Sequence, residues 1–308
     1  MISLLISLGF EISWGKIEGP SQRITFLGIE IDSRDCSFNL GYKKLAKIEL
    51  ALEQFKEKTR ANKKQLQALA GLLNWACQAI KGGRFFLRRI LDCIIKLRKP
   101  SHKYKLTKEF YKDVDWWLMF IRQFNGVVYY EPRERVNIMT DACNTGGGAF
   151  LRGDWYYWDW EESEHEKIKH LHINYKEAVT IVLAIKKWSY QLKDCEVIVL
   201  TDNVTAKSVI NKGTCKNVFM MEQLRSLFWL CVHNNLKLHA IHIAGVINII
   251  PDSISRLRER GEHLQLTSLL RNWHRIPIGV DYQLNWKHHM SYESLQMMPQ
   301  VMVEYAVN

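Results

Sequence analysis

Residues 136–141 read Val-Asn-Ile-Met-Thr-Asp, and residues 196–202 read Glu-Val-Ile-Val-Leu-Thr-Asp. In each, a short apolar-rich run ends on a carboxylate. Runs of this length are expected of buried strands, so Asp141 and Asp202 are predicted to emerge at strand ends. Working outward, 147–151 and 155–160 read as two further strands and 237–243 as a last one. Residues 175–192 carry Ala178, Ile181, Val182, Ile185 and Trp188 at helical spacing. Residues 204–211 and 219–233 also read as helices, and a final helix begins near Pro251, a favoured first-turn residue. Three strands, helix, strand, helices, strand, helix is the order of an α/β fold: a mixed sheet flanked by helices.

The first half reads differently. Residues 11–14 and 24–31 alternate like strands, joined by a turn through Gly15, Gly19 and Pro20. From Lys43 the period becomes helical, with Leu45, Ile48, Leu52 and Phe55 on one face. A second helix is predicted over 62–80, broken by Gly82-Gly83; a third over 84–97, stopping before Pro100; and a fourth over 108–124. Beyond Gly261 no period is visible.

The chain has 308 residues and an apolar fraction of 47%, enough for two domains with cores of their own. Its net charge of +11 is regional: residues 1–130 hold 23 Lys/Arg against 12 Asp/Glu, whereas 131–308 hold 20 of each. A basic first half attracts a polyanion, and Lys/Arg contacts to nucleic acid release condensed counterions. The seven cysteines are scattered with no Cys-x-x-Cys pair, which argues against zinc ribbons and disulfide scaffolds and fits reduced, intracellular thiols. Residues 1–10 are apolar but too short to span a bilayer, and lack a basic leading region and a cleavage site. They read as a buried element, and no membrane partner is expected.

Four acids stand out: Asp141, Glu177, Asp202 and Asp252. Asp141 and Asp202 follow strands; Glu177 and Asp252 read as first-turn residues of helices, where a carboxylate suits the dipole. Taken singly, each has a plainer role as a helix-start or capping residue. Together, carboxylates at the ends of several elements are what two Mg²⁺ ions need against a phosphodiester. Gly146-Gly147-Gly148 lacks the Lys-Ser/Thr ending of a P-loop; a tight turn with small residues, open to a nucleic-acid strand or simply to internal packing, is the expectation. His239 and His242, on the last strand, are secondary candidates for proton transfer.

These residues carry a resemblance. Thr-Asp-Ala-x-x-x-Gly-x-Gly-Ala from Thr140, Asn-Tyr-Lys-Glu-Ala from Asn174, Leu-Thr-Asp-Asn from Leu200 and His-Ile-Ala-Gly-Val-Ile-Asn-Ile-Ile-Pro-Asp-Ser-Ile-Ser-Arg from His242 resemble the ribonuclease H domain of a retroelement polyprotein. Pro251 stands where that family usually has Ala. The first part resembles the end of a reverse transcriptase. Leu8-Gly9-Phe10, Lys16, Pro20 and Phe26-Leu27-Gly28-Ile29 are similar to the last palm segment and primer-grip hairpin; Leu69–Asn74 and Gly83-Arg84-Phe85 are similar to pieces of the thumb. Asp115-Trp116-Trp117 and Phe124-Asn125-Gly126 are similar to the connection of DIRS-type elements, with related LTR-type retrotransposons as the alternative.

The resemblance implies a truncated palm end over 1–40, a helical thumb and connection over 41–130, a ribonuclease H-like domain over 131–260, and an extension of unassigned role over 261–308. It implies Asp141, Glu177, Asp202 and Asp252 as ligands of two Mg²⁺ ions (Mn²⁺ as a substitute), with Asp141 bridging both. The expected activity is cleavage of the RNA strand of an RNA–DNA hybrid, in a polyprotein piece lacking the polymerase metal-binding pair. The alternative is a catalytically silent nucleic-acid-binding remnant. Asn144, Gly146, Gly147 and Asn203 near the acids, Phe26, Leu27 and Gly28 in the hairpin, and Arg84, Arg88 and Arg89 on the basic helices are the expected nucleic-acid contacts. A transposase or integrase shares an α/β core but orders its acids differently.

Overall fold

The first strand pairing is closed by a turn of only two residues. Leu27 and Gly28 both have positive φ, 50° and 85°, the backbone of a two-residue hairpin turn matched to strand twist. The run 24–31, predicted as one strand, is therefore two: β1 (Arg23–Phe26) and β2 (Ile29–Asp32), closed by the pair Phe26↔Ile29. The computed structural model describes residues 2–260 and Leu270; the predicted extension lies almost wholly outside them.

The described residues form two compact units, one running up to Gly83 and including Ile90–Glu131, the other made of Arg84–Arg89 and the residues from Pro132 onward. In the first, β3 (Ser37–Leu40) joins the hairpin and pairs with a short β6 (Val127–Val128), giving the antiparallel order β1-β2-β3-β6. Helix α2 (Tyr42–Lys56) buries Leu45, Ile48, Leu52 and Phe55, as its spacing predicts. Helix α3 (Lys63–Ala76) starts at a capping box in which Asn62 and Gln65 satisfy each other's backbone N–H. Helix α5 (Lys108–Phe120) buries Phe110, Val114, Trp116, Trp117 and Phe120. A separate two-stranded antiparallel sheet pairs β4 (Arg60–Asn62) with β5 (Lys103–Lys105) across α3 and the helix that follows it.

Three expectations fail here. Residues 11–14 form no strand; a 3₁₀ turn occupies Trp14–Lys16 instead. Residues 2–7 form helix α1 (Ile2–Ser7) with none of its residues buried, since apolarity gives burial only where a partner surface exists. The helix predicted over 84–97 is shorter, α4 (Arg88–Ile95), preceded by a 3₁₀ turn at Gly83–Phe86.

The second unit is a five-stranded mixed sheet in the order β11-β10-β7-β8-β9. Strands β7 (Arg135–Ala142), β8 (Gly146–Leu151) and β9 (Asp154–Asp159) form an antiparallel meander, and β10 (Glu196–Thr201) and β11 (Lys237–His242) add in parallel to β7. After β9 come a short helix α6 (Glu166–Lys169), the long α7 (Ile173–Lys187), α8 (Val204–Lys212), α9 (Val218–His233), α10 (Ile249–Ser255) and α11 (Leu257–Arg260). One face of the sheet, with Val136, Ile138, Val197 and Val199, shares a core with α7, α8 and α9. The other, with Met139, Phe150 and Leu200, is covered by Ile250 and Ile254 of α10. Alternate residues along β7 thus serve opposite cores.

The glycines of β8 set how closely these layers approach. A Cβ on Gly147 would meet Thr180 Oγ1 and Trp160 at 2.6 Å, and one on Gly148 would meet Pro251 O and Ser255 N at 2.6 Å. The room their missing side chains leave is therefore filled within the protein, by α7 on one face and α10 on the other. Gly148→Ala, which forces α10 off the sheet, is expected to cost about 1–3 kcal/mol in denaturant unfolding; an unchanged midpoint would show that the helix seats elsewhere.

Candidate metal-binding carboxylate site

Parallel pairing brings two aspartates together. The register Leu200↔Met139, carried forward two residues, sets Asp202 level with Asp141 at the carboxyl ends of adjacent strands. Glu177 reaches them from α7. It is the fifth residue of that helix, which starts at Ile173 behind a His172 cap, so it is not the first-turn residue its sequence predicts. The helix dipole therefore gives it little help. Asp252 does lie in the first turn of α10.

One ligand oxygen each from Asp141, Glu177 and Asp202 lies within 4.8 Å of the others. Asp141 and Glu177 are only 4% and 5% exposed. Burial, reinforced by the neighbouring carboxylates, raises Asp141 to about 7 and Glu177 to about 9. A hydrogen bond from Ser255 Oγ to Asp141 Oδ2 (2.5 Å) works against this shift, as does one from the Ala142 backbone to Glu177. Glu177 Oε2 is buried with no hydrogen-bond partner. Asp252 stands outside this tight group, with Oδ1 held by Arg256 Nε at 2.7 Å, yet its charge still acts on both Asp141 and Glu177.

The surroundings fix these positions. Asn248, fully buried, donates from Nδ2 to Thr140 O (3.0 Å), tying the start of α10 to β7. Lys176, buried beside Glu177, donates to Asn144 O at 2.7 Å, and burial lowers its pKa. Cys143 Sγ donates to Ser255 O, and Trp160 Nε1 to Cys143 O. The β7–β8 turn is thereby stitched to α7, α10 and the segment after β9. Ser255, Arg256, Asn248 and Lys176 were not singled out from the sequence, although each lies inside a quoted motif or one residue from a candidate acid.

The remaining candidates are distributed as follows. Asn144 is exposed on the turn, and Gly146 and Gly147 are buried in β8. Asn203 caps α8, accepting from Ala206 N, and donates to Asn174 Oδ1 at 3.1 Å. Phe26 and Leu27 stand exposed on the first unit's hairpin, 61% and 79% accessible, with Gly28 completing its turn. Arg84 is exposed; Arg88 and Arg89 are half-buried. His242 Nε2 lies 3.1 Å from Asp202 O, and His239 is exposed.

No family model matches the chain. It is similar to the enzymatic polyprotein of Carnation etched ring virus, 26% identical over 269 residues that cover 80% of this chain and 36% of that protein. The enzymatic polyprotein of Cauliflower mosaic virus (strain D/H) is likewise 26% identical over 260 residues, with the same coverage. The chain thus spans little more than a third of the curated relatives it matches. Among solved structures it resembles a foamy viral protease-reverse transcriptase dRH in complex with double-stranded DNA, with a TM-score of 0.36, 14% identity, and coverage of 78% of this chain and 41% of that one. A foamy viral protease-reverse transcriptase in complex with RNA/DNA hybrid gives a TM-score of 0.32 at 12% identity, covering 71% and 29%.

Both raised acids hold protons in the folded chain that the unfolded chain releases near pH 4. Folded-state affinity for protons means that metal-free stability is greatest in acid and is lost as pH rises toward about 7 and then 9, the values of Asp141 and Glu177. Melting of the metal-free protein is expected to fall by on the order of 5 °C between pH 5 and 8, and added Mg²⁺ to restore more at pH 8 than at pH 5. A melting temperature that rises over this range would contradict the assignment.

Proposed function

We propose that this chain is the ribonuclease H-type region of a retroelement polyprotein and that it cleaves the RNA strand of an RNA–DNA hybrid, with a nucleic-acid-holding region of reverse-transcriptase type preceding it. The convergence of Asp141, Glu177 and Asp202 at the ends of two parallel strands and one helix carries the reading. Similarity to viral enzymatic polyproteins supports it.

The site fits divalent cations on its own terms. Buried carboxylates this close repel, and a partnerless buried oxygen on Glu177 leaves a ligand position unsatisfied. All donors are hard oxygens, suited to Mg²⁺ or Mn²⁺. Two such ions supply water activation and neutralisation of the leaving oxygen in phosphodiester hydrolysis. The residues' own parts follow from their places. Asp141, Glu177 and Asp202 would hold the ions, and Asp252, oriented by Arg256, would complete the set from α10. Ser255 positions the Asp141 carboxylate. Asn144, exposed on a turn whose carbonyl accepts from Lys176, contacts the 2′-hydroxyls that distinguish RNA from DNA in this reading. The hairpin tip at Phe26–Gly28 and the arginines Arg84, Arg88 and Arg89 serve as backbone and phosphate contacts. The DIRS-type assignment rests on the Trp116-Trp117 and Asn125-Gly126 motifs.

Asp202→Asn is expected to abolish Mg²⁺-dependent cleavage of labelled RNA in a hybrid, a loss of about a thousandfold or more, while hybrid binding stays within a few-fold. Cleavage at an undiminished rate would remove Asp202 from the site. Wild-type protein that binds hybrid but never cuts it would favour the silent-remnant alternative. Charge reversal at Arg84, Arg88 and Arg89 is expected to weaken hybrid binding and flatten its dependence on salt, the slope falling by roughly one for each phosphate no longer neutralised. An unchanged slope would refute phosphate binding by these side chains.

A further inference from the structure

A second convergence of ligand-type side chains lies where the chain leaves β9. Glu162, Glu164 and His165 each bring one donor atom within 4.8 Å of the others. His165 is only 8% exposed, and its Nε2 is buried without a hydrogen-bond partner. That nitrogen lies 3.5 Å from Glu164 Oε1 and 3.9 Å from Glu162 Oε2. Buried ring nitrogens are normally satisfied, so a nitrogen aimed at two carboxylates and bonded to neither needs another explanation.

The spacing supplies one. A hydrogen bond would bring nitrogen and oxygen to about 2.9 Å. Two donors each about 2.1 Å from a tetrahedral Zn²⁺ stand about 3.4 Å apart. The observed 3.5 and 3.9 Å are longer than a hydrogen bond and nearer to this ligand spacing. The ring is braced from one side by Trp160, at 5.7 Å between centroids in an edge-on contact, and Trp160 is itself held by Cys143 O. The carboxylates are 59% and 73% exposed, so turning them toward an ion costs little packing. Nearby Lys169 pairs with Glu161 at 2.5 Å.

We propose that Glu162, Glu164 and His165 form a second cation site, separate from the carboxylate cluster, that takes a borderline first-row divalent ion of the Zn²⁺ class, with water completing the coordination. One imidazole nitrogen with two carboxylate oxygens favours Zn²⁺ over Mg²⁺, which binds imidazole poorly. The ion joins both exposed glutamates to a ring packed on Trp160, and so braces the segment between β9 and α7.

The test is calorimetric titration of the full chain with Zn²⁺ in millimolar Mg²⁺, which occupies the carboxylate cluster. Zn²⁺ binding is expected in the wild type and in Asp202→Asn alike. The double substitution Glu162→Gln, Glu164→Gln is expected to weaken it by about tenfold or more, without changing the melting temperature in the absence of Zn²⁺. X-ray absorption at the zinc edge should show nitrogen and oxygen neighbours and no sulfur. No Zn²⁺ uptake, uptake indifferent to the two glutamates, or a sulfur shell from the free cysteines would each overturn the proposal.

Discussion

Burial of two carboxylates beside further acidic side chains is the constraint around which the second unit is arranged. Asp141 and Glu177 are nearly inaccessible, and burial first, with neighbouring carboxylates second, raises the proton affinity of both. Leaving such charges uncompensated costs several kcal/mol per ion. A fold that tolerates the arrangement must either keep protons on it or deliver cations to it. Ser255, the Ala142 backbone and Arg256 offset part of the cost. The orphan oxygen of Glu177 marks what they leave undone.

The scaffold serves that convergence. Parallel alignment of β7 and β10 sets two aspartates side by side, and helices on opposite faces bring the glutamate and the fourth acid. This close approach uses the glycines at the start of β8: Gly147 admits α7 and Gly148 admits α10. Asn248 then fixes where α10 begins by bonding to the strand that carries Asp141. A glycine in the middle of a sheet and an asparagine before a helix thus act on the site without reaching it.

Much of this was legible in the residues. Strands 136–141 and 196–202 announce themselves by runs of Val, Ile and Leu ending on Asp, and the structure extends or trims them by a residue or so. Helices α2, α7, α8 and α9 follow their apolar periods. What escaped has physical reasons. Strands β3 to β6 have two to four residues, too few for alternation to stand out. The alternation of residues 24–31 hid the Leu27-Gly28 turn, because leucine rarely takes positive φ, whereas the resemblance put a hairpin there. Glu177 falls two residues further into its helix than expected because His172, an uncommon cap, starts the helix early. Ser255 was invisible as a partner of Asp141 because only the fold brings residues 114 positions apart into contact.

The most direct test of the carboxylate account is the proton count on metal binding. Titration of metal-free protein with Mg²⁺ at pH 7, in buffers of different ionisation enthalpy, reports protons released per binding event. With Asp141 near 7 and Glu177 near 9 before the cation arrives, release of roughly one proton or more is predicted, falling toward zero by about pH 10. Mg²⁺ binding with no proton release at pH 7, or no binding at all, would contradict it.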